Sequence, residues 1–135
     1  TLAYPSEDDG GHYFIVDTRD PDRPMVSMGR RTTFLRQYFR YVRPGAVRVS
    51  ATTSDPRFDP LAFVNTGGEA VVVVKAAAAG TFAVQGLPTG RYDVSYTTET
   101  DAGVSRGVTM ASADGGLILE IPASGVLTAS GVAQP

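Results

Sequence analysis

Along this chain the spacing of apolar positions changes once. From Arg30 to Val42 it is helical: at about 100° per residue Phe34, Tyr38 and Tyr41 fall beside Leu35, Phe39 and Val42, while Arg36, Arg40 and Arg43 fall opposite. Three arginines in its last turns suit the negative end of a helix dipole, and Pro44 forbids continuation. From Ala46 the apolar positions alternate or run together, and turn formers recur about every ten residues, the rhythm of an all-β sandwich. The pattern predicts strands at about 46–53, 61–66, 70–77, 80–86, 91–98, 104–111, 116–121 and 125–130. Asp55-Pro56, Thr66-Gly67-Gly68, Gly80, Leu87-Pro88-Thr89-Gly90, Asp101-Ala102-Gly103, Asp114-Gly115-Gly116 and Pro122 separate them. Before the helix, His12–Asp17 has the β-branched and aromatic content of a strand, and Thr18–Pro24 reads as a loop. The expected fold is an antiparallel β-sandwich of about eight strands with one short helix near the N-terminal third. Residues 1–43 form a loop, strand and helix segment and residues 44–135 the sandwich, together one compact domain.

Composition narrows the function. A chain of 135 residues buries a real core but is too short for a (β/α)8 barrel, which takes roughly 250. A net charge of -2 gives no bulk attraction to nucleic acid or anionic membrane, and the longest apolar run, Ala70–Val74, is far below a membrane span. Neither partner is expected. Six arginines from Arg30 to Arg48 without an intervening acid read as a solvated helix face or a face that pairs with a neighbouring domain. The absence of cysteine removes disulfide, thiolate and Cys-zinc chemistry. Thr1–Gly10 lacks the basic and apolar regions of a signal peptide, so the sequence reads as a mature or excised piece.

The junction Gln37-Tyr38-Phe39-Arg40-Tyr41-Val42-Arg43-Pro44-Gly45-Ala46-Val47-Arg48 resembles the segment where the last barrel helix of many retaining glycoside hydrolases gives way to a small C-terminal β-sandwich. Further segments stand in the same order as in families 30, 5 and 39: Leu61-Ala62-Phe63-Val64-Asn65, Val71–Val74, Gly86–Val94 and Ile121–Thr128. The resemblance implies a secreted, non-catalytic accessory module that binds plant cell-wall polysaccharide of β-glucan or xylan type beside a catalytic domain. The alternative it leaves is a structural sandwich that stabilises an adjacent barrel without binding sugar, and it leaves residues 1–43 as either part of the module or the tail of a catalytic barrel.

The chemistry-bearing residues fit a non-catalytic role. Retaining glycosidases hold two carboxylates about 5 Å apart on a rigid scaffold, whereas Glu69, Glu99 and Glu120 fall on separate strand margins or turns. His12 is the sole histidine, with no serine or cysteine arranged around it. No catalytic or metal residue is expected and no cofactor, although Glu7-Asp8-Asp9 and Asp17 with Asp20 and Asp22 are hard-oxygen groups of the kind structural calcium takes. Sugar binding needs flat aromatic rings and planar polar groups; tryptophan is absent, which leaves Tyr4, Tyr13, Tyr38, Tyr41, Tyr92 and Tyr96. On strand 91–98 alternation sets Tyr92, Val94 and Tyr96 on a face that reads first as core, opposite Arg91, Asp93, Ser95 and Thr97. The expected ligand contacts are Tyr13, Tyr41, Phe58 and Tyr96 with Arg91 and Asp93. Phe58, in the loop between Pro56 and Pro60, is either a plug for the sandwich end or a contact.

Overall fold

The computed structural model describes residues 11–114 and 116–133. Tyr4 and the Glu7-Asp8-Asp9 cluster lie outside the described residues. The elements run β1 (Phe14–Asp17), β2 (Met25–Met28), α1 (Arg30–Phe39), β3 (Val47–Val49), β4 (Phe58–Val64), β5 (Ala70–Ala76), β6 (Gly80–Val84), β7 (Gly90–Thr98), β8 (Val104–Ala111), β9 (Leu117–Ile121) and β10 (Gly125–Ala133). All pairings are antiparallel. One sheet has the order β3-β4-β5-β10-β7-β8, β6 pairs with β9, and β1 with β2. The all-β sandwich is therefore the observed fold, and all eight strands expected after the helix are present. Met25–Met28 is a strand that the sequence pattern did not assign.

Burial on both faces explains the solid apolar run of β5. Val72, Val74 and Ala76 face the β6–β9 layer in a core shared with Tyr92, Val94, Tyr96, Leu117, Leu119, Ile121 and Leu127. Val71 and Val73 face the other way and pack with Val126 against Phe34, Tyr38, Tyr41 and Val42 of the helical segment. Three layers result: helix, large sheet, small sheet. Proline is tolerated at Pro60 because β3 ends opposite Ala62, so β4 has no neighbour on that side where a missing N–H would matter.

The helix is shorter than the periodicity suggests. Beyond Phe39 the chain tightens, with the N–H groups of both Tyr41 and Val42 donating to Tyr38 O. The Ala46 N–H then donates to Arg43 O at 3.0 Å. With Pro44 at the first corner and Gly45 at φ 88° at the second, Arg43–Ala46 is a type II turn, which accounts for the Pro-Gly pair.

A satisfied polar layer fixes α1 on the sheet. The buried Gln37 donates from Nε2 to Thr97 Oγ1 at 3.0 Å and accepts from Ser95 Oγ at 3.2 Å. The Thr128 hydroxyl donates to Gln37 O at 2.8 Å. Asn65 ties the end of the helical segment to the β4–β5 hairpin: its Oδ1 accepts from Arg43 N at 3.0 Å, and its Nδ2 donates to Tyr41 O at 2.8 Å and Glu69 Oε1 at 3.0 Å. Among the described residues no buried side-chain nitrogen or oxygen lacks a partner.

The β1–β2 ribbon is tied to the start of α1 by Gly29 N donating to Tyr13 O at 2.7 Å and Thr32 Oγ1 donating to the same oxygen at 2.6 Å. A Cβ on Gly29 would stand 1.9 Å from His12 O, so the crossing admits only glycine. Ile15 turns inward and is buried. Its register partners place Phe14, Val16, Val26 and Met28 together on the opposite face.

Candidate functional site

The six expected ligand contacts separate into three groups. Phe58 and Tyr96 are corrections: both are core residues, 5% and 7% exposed. The ring of Phe58 packs at 4.6 Å against Phe82, directly over Gly80, because β4 begins three residues earlier than the apolar run at Leu61 suggests. Tyr96 lies on the inward face of β7 with Tyr92, and its ring is capped by the Arg106 guanidinium at 5.6 Å. Arg106 is the extra residue of a bulge where β8 slips against β7 between Val94 and Ser95. Neither ring has a free face for a sugar. Tyr92 is fully buried and Tyr38 half-buried, and their burial raises both phenol pKa values.

Tyr13 is 51% exposed, at the N-terminal end of α1, with the Arg31 guanidinium 4.9 Å above its ring. It stands at the opposite end of α1 from Tyr41.

Tyr41, Arg91 and Asp93 are brought to one surface. The Tyr41 hydroxyl is 2.7 Å from Ser95 Oγ, and Asp93 and Arg91 follow Ser95 at two-residue steps on the same face of β7. Tyr41 is half-buried with Arg40 at 5.7 Å from its ring, while Arg91 and Asp93 are exposed. Register places Val108 beside Asp93, and Met110 and Val132 on either side of Arg91. These three apolar side chains are half-exposed, and nothing in the alternation of β8 or β10 marked them as part of a surface with Tyr41.

Glu69, Glu99 and Glu120 are dispersed, and each has a partner. Glu69 accepts from Asn65, Glu99 pairs with Arg30 at 2.9 Å, and Glu120 lies 3.7 Å from Arg106. In the loop after β1, Arg19 bonds both oxygens of Asp17 and holds its pKa down to about 2. Asp20 accepts from the backbone N–H of Asp22. Among the described residues no three acidic or histidine side chains converge as a cation site would need.

A groove of about 810 Å³ lies on the far face of the large sheet, between β4, β6 and the loop of residues 50–55. The sequence reading contains no sign of it, because it arises from a difference in width between two sheets. Another uncovered surface among the described residues is the ribbon face: Phe14, Val26 and Met28 are 48%, 67% and 43% exposed, and Phe39 on α1 is 62% exposed. Alternation in Met25-Val26-Ser27-Met28 carries this signal, although four residues after two prolines read more readily as loop.

The fold so defined is an antiparallel sandwich with a helix laid on its larger sheet. Similar solved structures hold it within longer chains. A GH30 endoxylanase from Clostridium papyrosolvens C71 matches at a TM-score of 0.67 and 22% identity, over 78% of this chain and 28% of that one. The catalytic domain of GH30 xylanase C from Talaromyces cellulolyticus matches at 0.65 and 23%, over 85% and 26%. A conserved exported protein from Bacteroides fragilis matches at 0.67 and 14%, over 88% and 26%. This chain thus spans less than a third of the length of each. No protein-family model matches the sequence, and no curated protein matches it at a significant level.

Proposed function

We propose that this chain is a non-catalytic accessory domain of a glycoside hydrolase, held against a neighbouring catalytic domain by the outer surface of β1–β2 and α1. The observation that carries this reading is the exposed apolar ribbon face of Phe14, Val26 and Met28. A two-stranded ribbon is marginal by itself, and an apolar face of this kind marks an interaction surface. At the other end of α1 Phe39 is a second exposed apolar group, with Arg36, Arg40 and Arg43 exposed around that end of the helical segment. The fold likeness to parts of GH30 xylanases supports the glycoside hydrolase context and, with it, an extracellular location. Added to the catalytic domain of its own host polypeptide, the chain is expected to raise that domain's melting temperature by several degrees. The double variant Met28→Asp, Phe39→Asp should abolish the effect while leaving the chain's own urea midpoint nearly unchanged, since both side chains are surface groups. Equal stabilisation by the variant would overturn the reading, as would hydrolysis of xylan by the purified chain.

A second reading, polysaccharide binding, is favoured by the shared surface of Tyr41, Arg91 and Asp93, which offers a ring edge and two planar polar groups. In native gels containing xylan or barley β-glucan, retardation of the chain is expected to weaken several-fold in Arg91→Ala and Asp93→Ala. Mobility unaffected by either polymer would leave docking as the domain's sole role.

A further inference from the structure

The large sheet ends differently on its two sides. On one side β3 is only three residues long, and on the other β8 runs for eight. β7 takes one edge of β8, and among the described residues no strand takes the other, so a row of N–H and C=O groups faces outward there. Natural sheets blunt such an edge with lysine, proline, charges or bulges. In β8 the bulge at Arg106 blunts the first half, and Arg106, the one charge of the strand, is turned back over the Tyr96 ring toward Glu120. The second half, residues 108–111, carries neither charge nor proline. A Cβ placed on Gly107 would meet nothing within 4 Å, so open space adjoins this part of the edge. Above it, on the helix side of the sheet, Val108 and Met110 are 49% and 57% exposed.

We propose that the β8 edge is a self-association site, where a second copy of this chain lays its own β8 antiparallel to the first about a two-fold axis through Thr109. The occupant follows from the way the strand complements itself. In this register Thr109 stands opposite Thr109 of the second copy, a favoured cross-strand pair, and Val108 stands opposite Met110, so the half-exposed apolar side chains cover one another. Gly107 and Ala111 meet without bulk at the ends of the pairing. The neighbouring charges select the same axis. Asp93 lies beside Val108 and Arg91 beside Met110, so the two-fold joins the Asp93 row of one copy to the Arg91 row of the other. Acid and base then end each row about 14 Å apart, three strand spacings of roughly 4.8 Å. An axis through Val108 would align two Asp93 rows, and one through Met110 two Arg91 rows. The match of sign and shape is between this surface and its own copy, which favours a second copy over an unrelated strand. The product is a continuous sheet with six strands from each copy and both helices on one face. Its contact is short and therefore weak. The ribbon face takes no part, and the inference stands or falls separately from the docking surface there.

Sedimentation equilibrium of the full chain between roughly 10 μM and 1 mM, the range of weak and small interfaces, tests it. The weight-average mass is expected to climb from that of one chain toward that of two. The double variant Val108→Lys, Met110→Lys sets lysines opposite one another across the axis and should stay at the mass of one chain throughout, with its urea midpoint nearly unchanged because both side chains are surface groups. Met28→Asp, Phe39→Asp should associate like the parent. Because the chain has no cysteine, introduced thiols report the register. In a glutathione redox buffer Thr109→Cys should form a disulfide-linked dimer, and an equimolar mixture of Val108→Cys and Met110→Cys should cross-link with each other several-fold more than with themselves. A parent chain that keeps the mass of one copy at 1 mM would overturn the proposal. So would association that survives the lysines but is lost in Met28→Asp, Phe39→Asp, which would move self-association to the ribbon, or equal cross-linking in all cysteine pairings.

Discussion

Tyr92→Ala is expected to remove about 3–5 kcal/mol of folding free energy, the cost of deleting a large ring from a closed core. Tyr92 is the largest side chain among the described residues with no exposure at all. It sits at the start of β7, its ring against Gly131 of β10, where a Cβ would come within 2.9 Å of the ring. Its hydroxyl donates back to Pro88 O at 2.9 Å, four residues upstream, in the manner of a tyrosine corner. The side chain thus fills the sandwich and pins the Gly86–Gly90 turn that launches β7. Tyr92→Phe separates the two roles: it keeps the ring, loses one hydrogen bond, and is expected to cost about 1 kcal/mol. Urea denaturation would measure both. At a slope of about 1–3 kcal/mol per molar urea, the alanine variant should lower the midpoint by more than 1 M, and a shift below a few tenths would contradict the core described above.

Asn65→Leu should cost about 3 kcal/mol although it keeps the volume and adds apolar surface. The amide side chain is 8% exposed and serves three groups at once. Leucine would leave the Arg43 N–H and the Tyr41 carbonyl, both partly buried, without their partners at the end of the helical segment, and an orphaned group costs about 1 kcal/mol at partial burial and up to about 3 kcal/mol at full burial. The loss should also be local. Amides of residues 41–46 and the 65–69 turn are expected to lose exchange protection before those of β7 and β10, which Asn65 does not touch. A uniform loss across the molecule would mean that Asn65 supports the whole sandwich and not the joint between helix and sheet.

This joint shows how far the sequence could be read. The end of the helix was legible because proline and glycine act locally: Pro44 cannot extend a helix, and Gly45 supplies the positive φ of a type II turn. The role of Asn65 was not, since its three partners lie 4 to 24 residues away and meet only when β4 folds back beneath the helix. Gln37 is similar. It reads as a polar residue on the margin of an apolar helix face, yet it is buried because Thr97, Ser95 and Thr128 present hydroxyls at its position in the sheet.

The candidate contacts divide along the same line. Alternation on β7 separated Arg91 and Asp93 from Tyr92 and Tyr96, and the structure keeps that division. It could not say how completely each face is covered, which depends on other layers. Tyr96 is buried because β9 and Arg106 close over it, and Phe58 because β6 brings Phe82 to its ring.

The sequence by itself determined the number and places of the strands after the helix, the turns between them and the inward side of most strands. Each of these follows from the period of apolar side chains and the backbone limits of glycine and proline, interactions that span a few residues. Only the tertiary structure decided that six strands would share one sheet and two the other, that the ribbon would stand with an apolar face outward, and that the Tyr41 hydroxyl would meet Ser95 on the face of β7 that carries Asp93 and Arg91. Those outcomes depend on which strand edges pair across the chain. Strand pairing joins residues tens of positions apart, and the hydrophobic pattern of a single strand carries no record of its neighbour.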